Sequence, residues 1–399
     1  MKIHIKHINN TFNYGSCMMA ITLINKLKTE YKDCKIYIDA ETNDDLARVI
    51  EETGVDSIFR DNIGAGNNLF QRCINKIKRI GINRDIKRVE NIIIIGGDDI
   101  SEYYGIPALE RELLNLKKIS ENKNIILLGQ TMGPFSENRG ELARECLSNT
   151  KIYTRDDVCY KYLENLGFKN INIGRDLAFL PLPMQNKRKK VLDKYKLITN
   201  EYITIVPSGL VSCYTKNREN YISEQINILN IILESKTLKN KKIVLLPHVL
   251  LPKDVDDRII IREIVSKIND RYKKRLIAID DEMMPSEARE ILGNGLFTIT
   301  GRMHAAVSTL FMRKPAISLS YSIKYSGVIG DGLDLNNLVI ECKDSKLWQE
   351  GKVSQMVEEK VEYVLNNYDD LVDKIDSNVR QTTNKTKEEL KNLILDIKK

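Results

Sequence analysis

Residues that bind metals or form redox pairs are scarce in this chain. Only four histidines occur among 399 residues, and no two of the seven cysteines lie within four residues of each other. This spacing excludes zinc ribbons and C-x-x-C redox motifs. An odd, scattered set of cysteines indicates reduced thiols that pack as small hydrophobic residues. We therefore expect reduced cysteines and no metal site.

Long hydrophobic segments are also lacking. No apolar run approaches the roughly 20 residues that cross a bilayer. Residues 1–8 alternate apolar and polar side chains and have no signal-peptide core. Hydrophobic residues still make up 42% of the chain and charged residues 29%, which is ordinary for a globular protein. The length suits two domains, and we expect a cytoplasmic product.

The two common nucleotide-binding signatures are missing. No G-x-x-x-x-G-K-[ST] motif occurs, and Gly96-Gly97-Asp98 does not match G-x-G-x-x-G. Their absence disfavours a nicotinamide-dependent enzyme or a P-loop nucleotide enzyme.

Positive charge is in moderate excess, with a formal net charge of +7. Part of it is concentrated between Arg72 and Arg88. One interpretation is a solvated helix face. The other is contact with an anionic partner, for which we favour the inner face of the membrane. Phe70 is the single aromatic residue nearby, which argues against nucleic acid because single-stranded bases stack on aromatic side chains.

Strand and helix patterns alternate along the chain, as in parallel-sheet α/β proteins. The first series of predicted strands covers 2–8, 35–40, 91–95, 124–128, 151–154 and 169–173. The second covers 202–206, 242–246, 275–279, 296–299 and 316–319. Between them, 181–200 contains two prolines and a basic run, which indicates a linker.

The pattern predicts two Rossmann-like domains facing a central cleft, the GT-B architecture. We expect an N-terminal domain over 1–180, a linker over 181–200, a C-terminal domain over 201–352 and a helical tail over 353–399. In parallel sheets of this kind, ligands bind beyond the carboxyl ends of the strands.

The densest group of reactive side chains lies in Thr300–Ala306, between a predicted strand and a helix. Backbone N–H groups at a helix start favour an anion, and Arg302 adds a guanidinium that matches phosphate or carboxylate. His304 can exchange a proton near neutral pH. The alternative is structural: Arg302 pairs with an acidic neighbour, and His304 fills the core.

Other strand ends carry single polar residues with weaker signals. Lys324 either adds positive charge beside this group or is simply solvated. His248 is either reactive or a core histidine. Asp98 and Asp99 either bind a sugar hydroxyl or a metal, or form a turn and cap a helix.

The ordered set of motifs resembles the polysaccharide pyruvyl transferase family from about residue 3 to 335. The matching pieces are Asn13-Tyr14-Gly15, Ile94–Asp99, Gly129–Phe135, Thr154-Arg155-Asp156, Arg175–Phe179, Leu246-Pro247-His248, Gly301–Ala305 and Pro315–Lys324. Three residues depart from the family pattern, namely Ser16, Asp98 and Leu177.

The resemblance implies transfer of a pyruvyl group from phosphoenolpyruvate to two hydroxyls of a surface-glycan sugar, giving a cyclic ketal without a cofactor. For this chemistry we expect catalysis by His304, Arg302 and His248, and donor binding by Arg302, Lys324, Arg155 and Ser208. We expect acceptor binding from the N-terminal domain by Asn13, Gly15, Asp98 and Gln130. Two alternatives remain open: a GT-B glycosyltransferase that uses a nucleotide sugar, and a non-catalytic protein that binds glycan or membrane.

Overall fold

The computed structural model of the protein describes residues 1–62 and 69–397. Two compact units are present, and both are discontinuous in sequence. The first comprises Met1–Thr11, Ser16–Leu177 and Asn384–Lys399. The second comprises Phe12–Gly15 and Ala178–Thr383. A short segment after the first strand therefore belongs to the second unit.

The described part of the first unit contains a parallel sheet of seven strands. Its strands are β1 (Lys2–Lys6), β2 (Lys35–Ile38), β3 (Ile58–Arg60), β4 (Asn91–Ile95), β5 (Asn124–Gln130), β6 (Thr150–Thr154) and β7 (Ile171–Ile173). They lie in the order β3-β2-β1-β4-β5-β6-β7. The direction of strand addition therefore reverses between β1 and β4.

The second unit has a parallel sheet of six strands within the described residues. Its strands are β8 (Tyr202–Val206), β9 (Lys242–Leu245), β10 (Leu276–Ala278), β11 (Thr298–Thr300), β12 (Ala316–Ser320) and β13 (Val339–Glu341). Their order is β10-β9-β8-β11-β12-β13. The reversal here falls between β8 and β11, and such points are where Rossmann-like sheets bind ligands.

Helices connect the strands of both sheets and form the C-terminal part of the chain. In chain order they are α1 (Tyr14–Glu30), α2 (Asn43–Thr53), α3 (Leu69–Lys87), α4 (Ile106–Ser120), α5 (Arg139–Cys146), α6 (Asp157–Asn165), α7 (Lys190–Lys194), α8 (Arg218–Glu234), α9 (Asp257–Lys267), α10 (Pro285–Asn294), α11 (Met303–Phe311), α12 (Ser345–Gln349), α13 (Lys352–Asn366) and α14 (Tyr368–Asp396).

The four consecutive isoleucines of β4, residues 92–95, are typical of a strand in a sheet that is covered on both faces. All five residues of β4 are buried, and so are all seven of β5. A strand buried on both faces has no polar alternation, because neither face meets water. Helix α4 covers part of this sheet with Leu109, Leu113 and Leu116, which share one side of the helix and are buried in the core.

The predicted fold class is confirmed: two Rossmann-like α/β domains are followed by a helical C-terminal part. The stretch 181–200, expected as a linker, belongs to the second unit. There the Gln185 amide Nε2 lies 2.6 Å from Glu290 Oε1 of α10, to which it donates a hydrogen bond. In the first unit, Asp396 near the chain end accepts a hydrogen bond from Tyr153 Oη at 2.7 Å.

The basic segment between Arg72 and Arg88 falls largely on α3. The side chains of Arg72 and Lys78 lie outside the described residues. The remaining cations of the segment are exposed, namely Lys76, Arg79, Arg84, Lys87 and Arg88. Ile82 and Ile86 pack against the core of the first unit, so this part of α3 has an apolar face toward the core and a basic face toward solvent.

Candidate functional site

The loops at the strand reversal of the second sheet approach each other closely. Ser208 and Gly209 follow β8, and Gly301 and Arg302 follow β11. A Cβ atom on Gly301 would lie 2.8 Å from Tyr214 Oη and 3.0 Å from the Ser208 Cβ. Glycine is therefore required at position 301, because any side chain would separate the two loops.

Two buried tyrosines fix the Gly301 carbonyl. Its oxygen accepts hydrogen bonds from Tyr214 Oη at 2.8 Å and from Tyr325 Oη at 2.7 Å. Burial raises the pKa of both phenols well above its usual range, so both remain protonated donors. Gly301, the residue before Arg302, is therefore held in place by two hydrogen bonds.

Arg302 forms a buried ion pair with Asp257, the first residue of α9. Asp257 Oδ1 lies 2.7 Å from Nη2 of the guanidinium and 3.1 Å from its Nε. Nη2 also donates to the Val255 carbonyl at 2.9 Å. Burial opposes the charge of Arg302, but the Asp257 carboxylate outweighs this effect and raises the pKa of the guanidinium. The acidic-neighbour interpretation thus describes the Nε and Nη2 edge of the guanidinium.

Asp257 also joins the ends of neighbouring strands. Its carboxylate accepts backbone hydrogen bonds from Gly209 after β8 at 2.7 Å, and from His248 and Val249 after β9 at 2.9 Å each. The side chain is fully buried. Sequence reasoning missed Asp257, because an acidic residue at a helix start ordinarily indicates a cap. No local signal distinguishes it, because acidic pairs such as Asp256-Asp257 also occur at Asp98-Asp99 and Asp280-Asp281.

His248 is enclosed in the second unit beside Tyr14. The two rings meet edge to face, with centroids 5.5 Å apart. His248 Nε2 is buried and has no hydrogen-bond partner among the described residues. Burial lowers the pKa of His248 well below its usual range, and the nearby His304, Arg302 and Arg289 lower it further. The imidazole is therefore neutral near pH 7.

His304 occupies the first turn of α11, and its position depends on Gly15. A Cβ atom at residue 15 would lie only 2.2 Å from His304 Nδ1. The chain before Gly15 pairs with the loop after β9: the Tyr14 N–H donates to the His248 carbonyl at 3.2 Å, and the Leu250 N–H donates to the Phe12 carbonyl at 3.0 Å. Asn13 forms an antiparallel bridge with Val249.

Asn13 and Gly15 were predicted to bind the acceptor from the N-terminal domain. The structure places both in the second unit, beside the predicted catalytic histidines. The reason is backbone pairing between 12–14 and 248–250, which joins this segment to the second unit. A motif that follows the first strand in sequence thus contributes to the second sheet's strand ends.

Lys324 and Ser208 lie at the margins of this cluster. Lys324 Nζ donates to Tyr321 Oη at 2.9 Å and lies 4.8 Å from the centre of that ring. Tyr321 in turn packs against Tyr214 and Tyr325, which hold Gly301. Ser208 is fully buried, and its Oγ accepts the Leu210 N–H at 3.2 Å. This hydrogen bond directs the Ser208 hydroxyl toward the backbone of the loop that carries it.

The other three predicted site residues belong to the first unit. Arg155 is 2% exposed, donates to Thr131 Oγ1 at 2.8 Å and has Nη1 3.7 Å from Asp176 Oδ2. Gln130 is buried in β5 and donates to the Ile94 carbonyl at 3.2 Å. Asp98 is half-buried after β4, and its carbonyl accepts the Ser101 hydroxyl at 2.6 Å. Within the first unit, Arg155 thus forms an ion pair with Asp176.

Two searches of the described residues bear on ligands and membranes. No three His, Cys, Asp or Glu side chains in residues 1–62 and 69–397 are grouped to hold a metal ion. None of the helices in the same ranges combines the length and the apolar character that a membrane crossing requires.

Comparison with solved structures finds the same fold in sugar-nucleotide enzymes. UDP-GlcNAc 2-epimerase from Neisseria meningitidis, bound to UDP-GlcNAc, matches with a TM-score of 0.61, 11% identity, 99% coverage of this chain and 100% of that chain. The UDP-GlcNAc 2-epimerase of Methanocaldococcus jannaschii, in complex with UDP-GlcNAc and UDP, matches with a TM-score of 0.57, 13% identity, and 92% and 93% coverage. E. coli ADP-heptose lps heptosyltransferase II matches with a TM-score of 0.50, 14% identity, and 92% and 100% coverage. At these identities the likeness shows a GT-B-like fold alone.

Sequence comparison identifies the family. The amylovoran biosynthesis protein AmsJ of Erwinia amylovora is 22% identical over 314 residues, which cover 74% of this chain and 70% of that protein. The profile of the family described as polysaccharide pyruvyl transferase matches residues 13–323, from the Asn13 segment to the residue before Lys324. The chain therefore belongs to the polysaccharide pyruvyl transferase family.

Proposed function

We propose that this protein transfers a pyruvyl group from phosphoenolpyruvate to a sugar of a surface glycan, or of its precursor, and forms a cyclic ketal. Family membership supports the reaction class. The observation that carries the proposal is the grouping of Arg302, His304 and His248 at the strand reversal of the second sheet. Such a group offers a cation, a helix start and two imidazoles to a small anionic donor.

The donor has a phosphate and a carboxylate, and both need positive partners. The N-terminus of α11 supplies the positive end of its helix dipole, and Arg302 supplies Nη1, since Asp257 occupies the Nε and Nη2 edge. Lys324 adds a second cation through a flexible side chain that now rests on Tyr321. With two separate cations, one anionic group of the donor contacts the fixed guanidinium of Arg302 and the other contacts the ammonium group of Lys324.

The chemistry needs one proton at the donor methylene. We assign it to His304, in the first turn of α11. The methylene C3 becomes a methyl group, C2 forms one bond to each of two sugar oxygens, and the C2–O bond to phosphate breaks. Of the two hydroxyl protons, one balances the proton gained at C3 and the other leaves with inorganic phosphate. His248 stays neutral and presents an uncharged imidazole in the same cluster.

Support for the acceptor class comes from the family and from its relative in amylovoran biosynthesis. The name of the family refers to polysaccharides. We propose that the acceptor is a sugar with two hydroxyls close enough to close a ring on one carbon. The donor phosphate supplies the leaving group, so the proposed reaction uses no further cofactor.

The decisive experiment compares donors. Purified protein is incubated with phosphoenolpyruvate and with oligosaccharides from a strain of the producing organism that lacks this protein. We expect phosphate release and a product heavier by one pyruvate ketal in mass spectrometry. Parallel incubations contain UDP- or GDP-sugars, which are the donors that a glycosyltransferase would use. Sugar transfer from either nucleotide, with no ketal from phosphoenolpyruvate, would refute the proposal.

A further inference from the structure

The loop after β12 holds a lysine against a tyrosine. Tyr321 directly follows β12, and Lys324 lies three residues further along the chain. Lys324 Nζ donates a hydrogen bond to Tyr321 Oη at 2.9 Å, and this bond is partly buried. A lysine side chain in a loop is ordinarily flexible and solvated. The bond to Tyr321 instead restrains the Lys324 ammonium group in one place.

Two further tyrosines fix the ring of Tyr321. Its centroid lies 5.3 Å from that of Tyr214 and 5.5 Å from that of Tyr325, and both pairs meet edge to face. This arrangement is favourable, because the positive edge of one ring faces the negative face of the other. Tyr214 and Tyr325 are buried, and they are the residues whose hydroxyls hold the Gly301 carbonyl. The orientation of Tyr321 is therefore tied to the loop that carries Arg302.

The sheet brings the two loops to one edge. Strands β11 and β12 are parallel neighbours, with Thr300 in register with Ser318. Arg302 follows β11 by two residues and Tyr321 follows β12 by one, so both lie at carboxyl ends of strands, where Rossmann-like sheets bind ligands. All of these residues belong to the second unit. Lys324 is thus held at the edge of the sheet where Arg302 lies.

A second lysine–tyrosine pair lies at the other end of β12. Lys314 precedes that strand, and its Nζ lies 3.4 Å from Tyr368 Oη. The Tyr368 hydroxyl itself donates to the Leu296 carbonyl at 2.9 Å. This pair has the same two residue types in the same unit, but it lies at the amino end of the strand, away from the ligand-binding edge. It therefore serves as an internal control for Tyr321 and Lys324.

We propose that Tyr321 is a positioning residue for the donor: its hydroxyl holds the Lys324 ammonium group at the edge of the sheet where Arg302 lies, so that both cations are in place before phosphoenolpyruvate binds. This role rests on the proposed pyruvyl transfer. An ammonium group has three donors, and the bond to Tyr321 uses one of them. Because the side chain is already restrained, less conformational freedom is lost when an anionic group of the donor binds.

The test is a double-mutant cycle on Tyr321 and Lys324, with donor affinity measured by isothermal titration. Tyr321→Phe removes the hydroxyl and keeps the ring that packs against Tyr214 and Tyr325. We expect phosphoenolpyruvate affinity to fall about 3- to 10-fold, as for loss of one hydrogen bond. Added to Lys324→Ala, the same change should have no further effect, because no ammonium group is left to position. An equal loss in both backgrounds would make Tyr321 merely structural and overturn its positioning role.

Steady-state kinetics supply a second readout. If Lys324 binds an anionic group equally in the ground state and in the transition state, Tyr321→Phe should raise KM for phosphoenolpyruvate and leave kcat within about twofold. Tyr368→Phe is the matched control, because it removes the hydroxyl of the pair at the amino end of β12. That variant should keep the wild-type KM. A fall in kcat with unchanged KM in Tyr321→Phe would contradict a role in donor binding.

Inorganic phosphate separates this inference from the proposed reaction, because its binding requires no pyruvyl transfer. The cycle is repeated with phosphate as the titrant. If Tyr321 and Lys324 are coupled in phosphate binding but no ketal forms from phosphoenolpyruvate, the positioning role stands and the proposed reaction fails. If the ketal forms while Tyr321→Phe binds both anions with wild-type affinity, the reaction stands and the role of Tyr321 fails. Binding of neither anion to the wild-type protein would overturn both.

Discussion

The Asp257 carboxylate pairs with Arg302 across 2.7 Å between Oδ1 and Nη2, and the same carboxylate accepts backbone N–H groups from the loops after β8 and β9. One buried side chain thus fixes the guanidinium and the strand ends around it. The arrangement makes Arg302 a preorganised cation whose geometry does not depend on a ligand. Loss of the Asp257–Arg302 ion pair should therefore reduce both protein stability and donor binding.

Asp257→Asn should lower stability strongly. The substitution leaves the Arg302 charge buried without its carboxylate, and loss of one partner of a buried pair costs about 3–5 kcal/mol. For a domain of roughly 200 residues, this corresponds to a melting temperature about 6–20 °C lower. Differential scanning calorimetry gives the value. Asp280→Asn is the control, because Asp280 pairs with Arg262 where both side chains are more than half exposed; an equal loss there would contradict a special role for Asp257.

Arg302→Lys separates pairing from donor binding. Lysine can keep a positive charge beside Asp257, but it has no Nη1 to present to the donor. We expect phosphoenolpyruvate affinity to fall about 10- to 150-fold, as for loss of one charge-assisted contact. Isothermal titration measures the affinity, and a thermal melt measures the stability. If the folded Arg302→Lys variant binds phosphoenolpyruvate with wild-type affinity, Arg302 does not contribute to donor binding.

His304→Gln should lower turnover more than donor affinity. A general acid acts in the transition state, and its loss removes about 10²- to 10⁴-fold in rate. Initial rates of phosphate release over a range of phosphoenolpyruvate concentrations separate kcat from KM. A variant with reduced donor affinity and full kcat would make His304 a binding residue instead.

Gly15→Ala should reproduce much of the His304 defect without changing any histidine. The added methyl group would lie 2.2 Å from His304 Nδ1, so the ring must move away from its position. Gly81→Ala is the control, because a Cβ there meets no atom within 4 Å. Alanine in that helix should slightly stabilise the protein and leave kcat unchanged. Normal phosphate release by Gly15→Ala would show that the His304 position is not needed.

His248 should make the protein less stable in mild acid. Its pKa is well below the usual value in the folded protein, but near 6.5 once unfolded. Above about pH 6.5 both states are neutral and no cost arises. As pH falls below this value, the unfolded state binds a proton that the folded state does not. The free energy of unfolding should then fall by up to about 1.4 kcal/mol per pH unit. Urea titrations at several pH values should show this slope reduced in His248→Gln; an unchanged slope would mean that the folded protein also protonates His248.

The basic face of α3 remains a predicted membrane contact. Reversing the exposed charges at Arg79, Arg84 and Lys87 to glutamate should weaken binding to phosphatidylserine vesicles in co-sedimentation. The loss should be largest at low salt, because exposed charges are screened at high ionic strength. Turnover of a soluble acceptor should persist, since none of these residues is assigned to the chemistry. If turnover collapses in a folded variant, the segment belongs to the site.

The sequence by itself determined the class of the fold and the place of the main cluster. Runs such as Ile92–Ile95 indicate buried parallel strands because both sheet faces exclude water, and this signal is local. The strand-to-helix transition at Gly301–His304 is local as well. The edge strands β3 and β13 were not predicted from the sequence.

Only the tertiary structure decided which side chains meet. Asp257 is 45 residues from Arg302 in the chain, and nothing around it in sequence distinguishes it from a helix cap. Asn13 and Gly15 follow β1 yet join the second unit, because their segment pairs with residues after β9. Partners of this kind depend on long-range backbone pairing, and no local pattern encodes it.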